Sequence, residues 1–280
     1  MVDGEPLVSI VLSTYNWSNV LRQAVRSVLW QTYPRLELLV IGDACTDDSE
    51  EVVASFGDPR VRWVNLPENS GSQATPNNAG LDLARGEYIA YQGHDDVWHP
   101  KHLATLVSHL QRARADLGYC MAEVLGPPGS RIRFLVGRVR PADLAPGTWL
   151  PPASIVHTAE LGRRLGGWRT WEDGGGRPDV NFLDRAQSAG ARFVRVPAIT
   201  AFKFPSVLRP NSYRERPSHE QEAYVRRMAT QRLFIERELA AVLARSASPG
   251  KQRIEWAPTA RESLDPMAMY TYLRRLRGLD

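Results

Sequence analysis

GEYIAYQGHDDVWHP, residues 86–100, is the stretch on which the reading of this chain turns. Its apolar run Tyr88-Ile89-Ala90-Tyr91 is short and rich in β-favouring residues, which suits a buried strand. The run stops at Gly93, His94, Asp95 and Asp96 follow, and Pro100 is placed to open a helix. Two adjacent carboxylates therefore sit where a strand gives way to a loop. Ligands of open α/β sheets bind outside the carboxyl ends of the strands. Two carboxylates there repel each other unless something positive lies between them. A hard divalent cation such as Mg²⁺ or Mn²⁺, which takes oxygen ligands and keeps positions free for phosphates, is the expected partner. Asp-Asp ahead of a helix is also an ordinary N-terminal cap, so the pair takes its meaning from the rest of the chain.

Toward the N-terminus, residues 7–12 (LVSIVL) form a nearly continuous apolar run, as expected of a strand buried on both faces in a parallel sheet. The run ends in the polar turn Ser13-Thr14-Tyr15-Asn16. Residues 20–30 carry apolar side chains at helical spacing, and a second buried strand over 36–41 ends at Gly42-Asp43. A helix capped by Thr46-Asp47-Asp48, a strand over 61–65 and a helix opening between Gly71 and Gly80 complete the run up to Tyr88. Strand and helix alternate four times, the signature of βαβ units in a doubly wound, mostly parallel α/β sheet flanked by helices. In such a sheet Thr14, Asp43 and Asp95, each just past a strand, gather along one edge.

Toward the C-terminus, a helix is expected to about residue 115 and strands over 118–122 and 192–196. Residues 126–147 read as a hairpin or loop, 149–157 as extended chain, and helices are expected over 158–165 and 179–189. Residues 166–178, GGWRTWEDGGGRP, read as a glycine-rich loop without regular structure. Residues 205–217 read as a polar loop able to order over a ligand. One long amphipathic helix is expected over 219–244, then a polar linker over 246–258 and a last helix over 266–276. The expected organisation is a ligand-binding half (1–115), a second half of the same domain (116–217) and a C-terminal helical extension (218–280).

Composition bounds the function classes. Of 280 residues, 43% are hydrophobic and 24% charged, enough apolar material for a real core. No apolar run approaches the ~18 residues of a membrane span, and no signal peptide is visible at the start. Two cysteines, Cys45 and Cys120, are too few for a disulfide framework, so a reducing, cytoplasmic setting is expected. The net charge of +4 includes arginine clusters at Arg131, Arg133, Arg138 and Arg140 and at Arg274, Arg275 and Arg277. Such clusters are more often solvated surface than binding sites. They leave peripheral contact with the cytoplasmic face of a membrane open, while no nucleic-acid motif is present. His99, His102 and His109 match no zinc spacing.

Together these motifs resemble a known family. The strand Val8–Thr14 with Tyr15-Asn16, Ser27-Val28-Leu29 with Gln31-Thr32-Tyr33, and Asp43 with Thr46-Asp47 match in order. Asn69, Gly71, Asn77, Gly80, Ala84, Gly86–Ala90 and Asp95-Asp96 with Pro100 continue the series. The chain resembles a family 2 glycosyltransferase of GT-A fold, clearly over 7–115 and more loosely over 150–205. The resemblance implies transfer of a sugar from a nucleoside diphosphate sugar, UDP- or dTDP-linked, to a saccharide or other hydroxyl acceptor with inversion. It implies Thr14, Tyr15 and Asp43 as the nucleotide pocket, Asp95 on the sugar or ribose hydroxyls, and Asp96 as ligand of Mg²⁺ or Mn²⁺. Pro76 stands where many relatives carry arginine.

An inverting transfer needs a carboxylate to take the acceptor's proton. Asp179, just ahead of a helix, is the leading candidate, and Asp173 in Trp171-Glu172-Asp173 is the other. His94, His157, His219, Trp168 and Trp171 are further candidates around the acceptor and metal. Two readings from other classes stand beside this one: a catalytically silent nucleotide-sugar-binding or scaffold protein, and a nucleotidyltransferase, against which the lack of a basic Gly-rich loop after Leu12 counts. The helix over 219–244 is expected to cover its own domain or, in a homodimer, a second subunit.

Overall fold

A computed structural model describes residues 4–246 and 266–279. Strands β1 (Val8–Thr14), β2 (Leu36–Gly42), β3 (Val61–Asn65) and β4 (Tyr88–Gly93) pair in parallel in the order β3-β2-β1-β4. Every residue of β2 is buried, because helices cover both faces of a parallel sheet. Helix α1 (Ser18–Leu29) covers one face with Val20, Leu21, Ala24, Val25 and Val28. Helices α2 (Ser49–Ala54) and α3 (Ala74–Leu83) complete the other crossovers. At Gly80 of α3 a Cβ would fall 2.3 Å from Val11 Cγ1, so glycine is what lets α3 lie this close to β1.

The second half joins the same sheet. β5 (Val97–Trp98) leads into α4 (His102–Ala113), and β6 (Leu117–Leu125) forms a hairpin with β7 (Arg133–Val136). β8 (Ile155–Thr158) lies antiparallel between β4 and β6, ahead of α5 (Ala159–Arg164) and α6 (Pro178–Ser188). β9 (Phe193–Lys203) runs parallel to β6 and antiparallel to β5. The nine-stranded order is β3-β2-β1-β4-β8-β6-β9-β5, with β7 beside β6. β9 outlasts the five residues expected for it. Pro197 interrupts the apolar pattern, but the β6–β9 register shifts there, pairing Cys120 with Val196 and Met121 with Ile199. The strand then continues and delivers Lys203 to the same edge as Asp95.

Among the described residues, four α-helices follow α6. α7 (Ser212–Glu215) sits in the segment expected to be a loop, which docks on the N-terminal half: Trp17 Nε1 donates to the Pro217 carbonyl at 3.2 Å and Asn19 Nδ2 to that of Arg216 at 2.7 Å. The single helix expected over 219–244 is two, α8 (His219–Thr230) and α9 (Phe234–Ser246). The break falls at Leu233, whose φ of +59° no helix accommodates, and it turns Phe234 onto Phe202 and Tyr224. Glu238 of α9 is buried against Arg133, Arg227 and the Tyr224 hydroxyl, which ties the extension to the β6–β7 hairpin. α10 is Pro266–Arg277. Of the polar linker expected over 246–258, residues 247–258 lie outside the described residues. The glycine-rich stretch is also more regular than expected: Trp171–Gly175 forms a π-helical turn. Thr170 and Asp173 hold it by exchanging side-chain and backbone hydrogen bonds, a reciprocal cap. Among the described residues, no helix is long and apolar enough to cross a membrane.

Candidate active site

One cavity of about 390 Å³ opens at the carboxyl edge of the parallel strands. Thr14 and Tyr15 at the end of β1, Asp43 after β2, and Gly93, His94 and Asp95 at the end of β4 all line it. The expected gathering of strand ends is thus observed. Lys203 at the end of β9 adds a cation, Trp149, Arg177, Pro178 and Asp179 form the far wall, and Tyr270, Leu273, Arg274 and Arg277 of α10 close it from above.

Asp43 is 5% exposed and held by its neighbours. It accepts from Ser70 N at 3.1 Å, Ser70 Oγ at 2.9 Å and Asn69 Nδ2 at 3.1 Å. Burial pushes its carboxyl above the ordinary range, against the Ser70 bonds and the charge of Arg274, which pull it down. An acceptor-only group fixed at a strand end suits an N–H donor such as that of a pyrimidine base.

His94 is buried rather than a free loop residue. Its Nδ1 accepts from the Tyr15 backbone N–H at 3.3 Å, so the ring's proton resides on Nε2, which faces the Tyr213 hydroxyl at 3.2 Å. Thr14 Oγ1 lies 3.1 Å from the same Nδ1, and Trp17 packs edge-on against both His94 and Tyr213. Burial depresses the imidazole's pKa and favours this neutral form. His94 thus binds the end of β1 to the segment carrying α7.

The two carboxylates of the pair have different surroundings. Asp95 lines the cavity. Asp96 does not; it is 1% exposed and accepts from Lys203 Nζ at 2.9 Å and Phe204 N at 3.1 Å. Burial pushes the Asp96 carboxyl up, to about 6, while the Lys203 charge opposes that rise, and Asp96 in turn holds Lys203 protonated. The metal-ligand role expected of Asp96 therefore falls on a carboxylate that already has two donors. A Cβ on Gly93 would lie 3.0 Å from Asp96 Oδ2 and 3.1 Å from Asp95 Oδ1, so glycine leaves the room in which the two carboxylates turn back over the strand end. Among the described residues no group of three or more His, Cys, Asp or Glu side chains converges as a metal cage. A Mg²⁺- or Mn²⁺-type ion needs no such cage when substrate phosphates supply oxygens, and the cavity-facing Asp95 suits that arrangement.

On the far wall, Asp179 Oδ2 accepts from Trp149 Nε1 at 2.7 Å and Arg177 Nη2 at 3.0 Å, while Oδ1 takes the Val180 backbone N–H at 3.0 Å. Asp173 lies outside the cavity lining, exposed, with its carboxylate used in the Thr170 cap. Trp171 reaches the cavity, but Trp168 is core, stacked on Phe182 at 4.6 Å. His157 is also core: Nδ1 meets the Thr158 carbonyl at 2.8 Å and Nε2 the Tyr91 hydroxyl at 3.1 Å. His219 is exposed and does not line the cavity. Lys203, Trp149 and Tyr213 escaped the sequence reading, because each reaches the site from beyond the motif series.

Residues 9–126 match the family described as Glycosyl transferase family 2. That stretch is under half of the chain, and over it the sequence is similar to family 2 glycosyltransferases. Its curated relatives include glycosyltransferase GlyG of Streptococcus pneumoniae, 35% identical over 113 residues, 40% of this chain and 37% of that one. The succinoglycan biosynthesis protein ExoO of Rhizobium meliloti is 31% identical over 133 residues, 48% of this chain and 38% of that one. The match thus spans under two fifths of either relative. Among solved structures, Staphylococcus aureus TarS 1–349 in complex with UDP superposes with a TM-score of 0.60 at 16% identity, over 98% of this chain and 83% of that one. The mannosyltransferase PcManGT of Pyrobaculum calidifontis, in complex with GDP-Man and Mn²⁺, superposes at 0.59 and 17% identity, over 99% and 89%. At such identities the likeness is one of fold, and the fold is the GT-A architecture.

Proposed function

We propose that the chain transfers a sugar from a nucleoside diphosphate sugar to a hydroxyl acceptor, with inversion. The observation that carries this reading is one cavity lined by three parallel-strand ends on one side and by Asp179 on the other. Thr14, Tyr15 and Asp43 receive the nucleoside, a uridine or thymidine by the donor–acceptor match at Asp43. The neighbours solved with UDP and with GDP-Man and Mn²⁺ support a nucleotide-sugar donor without selecting its base. Asp95 faces the sugar and diphosphate and is the carboxylate that would hold a divalent cation, which when bound supplies Lewis-acid stabilisation of the leaving diphosphate.

The acceptor hydroxyl approaches from the Trp149–Asp179 wall. As its oxygen bonds to the anomeric carbon, the bond to the diphosphate oxygen breaks and the hydroxyl proton passes to Asp179. Arg177 and Trp149 fix the orientation of that carboxylate. The side of the site holding Lys203 receives the charge left on the diphosphate. Asp173, outside the cavity, takes no part.

The test is an assay of the purified chain against a panel of UDP-, dTDP- and GDP-sugars, with release of the nucleoside diphosphate as readout. Turnover of one donor, stimulated by a hydroxyl acceptor, is expected. Nucleotide binding without transfer or hydrolysis for any donor and any saccharide acceptor would leave a silent binder in its place.

A further inference from the structure

The run Arg274, Arg275 and Arg277 reads in sequence as a surface patch, yet two of the three line the cavity. α10, which carries them, is seated from three sides. Tyr270 Oη donates to the Gly71 carbonyl at 3.0 Å, Asn211 N donates to the Leu276 carbonyl at 3.0 Å, and the Tyr270 ring lies 5.8 Å from that of Trp171. Gly71 has φ of +65°, and a Cβ there would fall 2.3 Å from Tyr270 Oη and 2.5 Å from Arg274 Nη1. Only glycine lets the helix come this close to the loop that also holds Asp43.

Both guanidinium groups line the cavity from the same helix. The charge of Arg274 acts on Asp43, and that of Arg277 acts on His94 and Tyr213. Arg277 Nε donates to the Leu273 carbonyl at 3.0 Å, and its guanidinium lies 5.9 Å from the Tyr213 ring centroid, so its plane is fixed. Arg274 also donates to the Tyr270 hydroxyl and to the Leu279 carbonyl, each at 3.3 Å. Asp43 is held by Ser70 and Asn69, and Asp179 by Arg177 and Trp149. Two guanidinium groups one helical turn apart on the cavity lining suit a polyanion.

We infer that α10 is part of the donor site, with Arg274 and Arg277 receiving the diphosphate of the nucleoside diphosphate. The inference rests on the proposed reading of the cavity as a nucleotide-sugar site. Guanidinium groups meet phosphate oxygens through paired, charge-assisted hydrogen bonds, which a lysine does not reproduce. The residues that complete the donor site thus lie some 150 positions beyond the family match that ends at residue 126.

Calorimetric titration of the full chain with uridine, UDP and inorganic pyrophosphate tests this. R274Q and R277Q should each weaken UDP and pyrophosphate by roughly 10- to 100-fold, the usual range for a lost hydrogen bond to a charged group. Uridine affinity should change less than about twofold, since it has no phosphate to lose. R277K, which keeps the charge and much of the packing on Tyr213, should fall between wild type and R277Q for UDP and serves as the control for misfolding. Wild-type binding of UDP with R274Q and R277Q unaltered overturns the inference alone. Equal losses for uridine and UDP assign α10 a structural role and also overturn it. A wild-type chain that binds neither uridine nor any nucleoside diphosphate overturns the nucleotide reading itself, and the inference with it.

Discussion

Asp95 and Asp179 line one cavity but are committed differently, and that decides what each substitution does. Among the described residues, Lys203 donates a hydrogen bond to Asp96 and none is donated to the Asp95 carboxylate, which faces the cavity. D95N should therefore remove the Mn²⁺-dependent part of donor binding and leave uridine binding intact; titration with and without Mn²⁺ reads both. Unchanged Mn²⁺ dependence in D95N would return the metal role to Asp96. D179N keeps the shape of the side chain and its bond from Trp149, and removes the basicity. It should lower kcat by roughly 10²–10⁴ with donor affinity unchanged, the range for loss of a general base. Full turnover in D179N would leave the inverting step without its base. At this scale the sequence was legible where a polar residue ends a buried strand, as at Thr14, Asp43 and Asp95. Lys203 was not legible, because its partner Asp96 is 107 positions away and only the sheet brings them together.

At the scale of elements, position is set by close approach. α3 rests on β1 at Gly80, and G80A would drive a methyl group into Val11, a fully buried residue. Overpacking of that kind costs about 1–3 kcal/mol, so the midpoint of denaturant unfolding should fall accordingly. A variant as stable as wild type would mean that α3 shifts without penalty. β1, β2 and β4 were plain in sequence because strands buried on both faces are continuous apolar runs. β9 was cut short in the reading because Pro197 imitates a strand end, while the register shift against β6 absorbs it. The break between α8 and α9 was equally hidden: the helical pattern continues through Leu233, and the buried contacts of Phe234 and Glu238 decide where the chain turns.

For the whole molecule, acid sensitivity follows from buried imidazoles. His157 is fully buried, and burial lowers its pKa to about 4; His102, beside Thr200 Oγ1 at 2.9 Å, is lowered to about 3. A histidine kept neutral in the folded chain contributes stability that is complete above its unfolded pKa near 6.5 and is lost as pH falls toward the folded value. Glu123, raised by burial to about 7, works in the opposite sense, since its protonation favours the folded state as pH falls. Comparison with a variant isolates one contribution. The stability advantage of wild type over H157Q should shrink by up to about 1.4 kcal/mol per pH unit between pH 6.5 and 4. A difference that is flat with pH would mean that His157 titrates normally.

Two indoles, Trp149 and Trp171, stand on the cavity wall, while Trp17, Trp98 and Trp168 are sealed in the core. Ultraviolet emission from this chain of eight tryptophans therefore includes a component, that of Trp149 and Trp171, that senses what fills the cavity. A nucleotide stacking near either wall indole should quench that component, so that occupancy can be followed in real time without a label. Trp149 Nε1 donates to Asp179 at 2.7 Å, so an acceptor that disturbs this bond should change the surroundings of that ring and with them its emission.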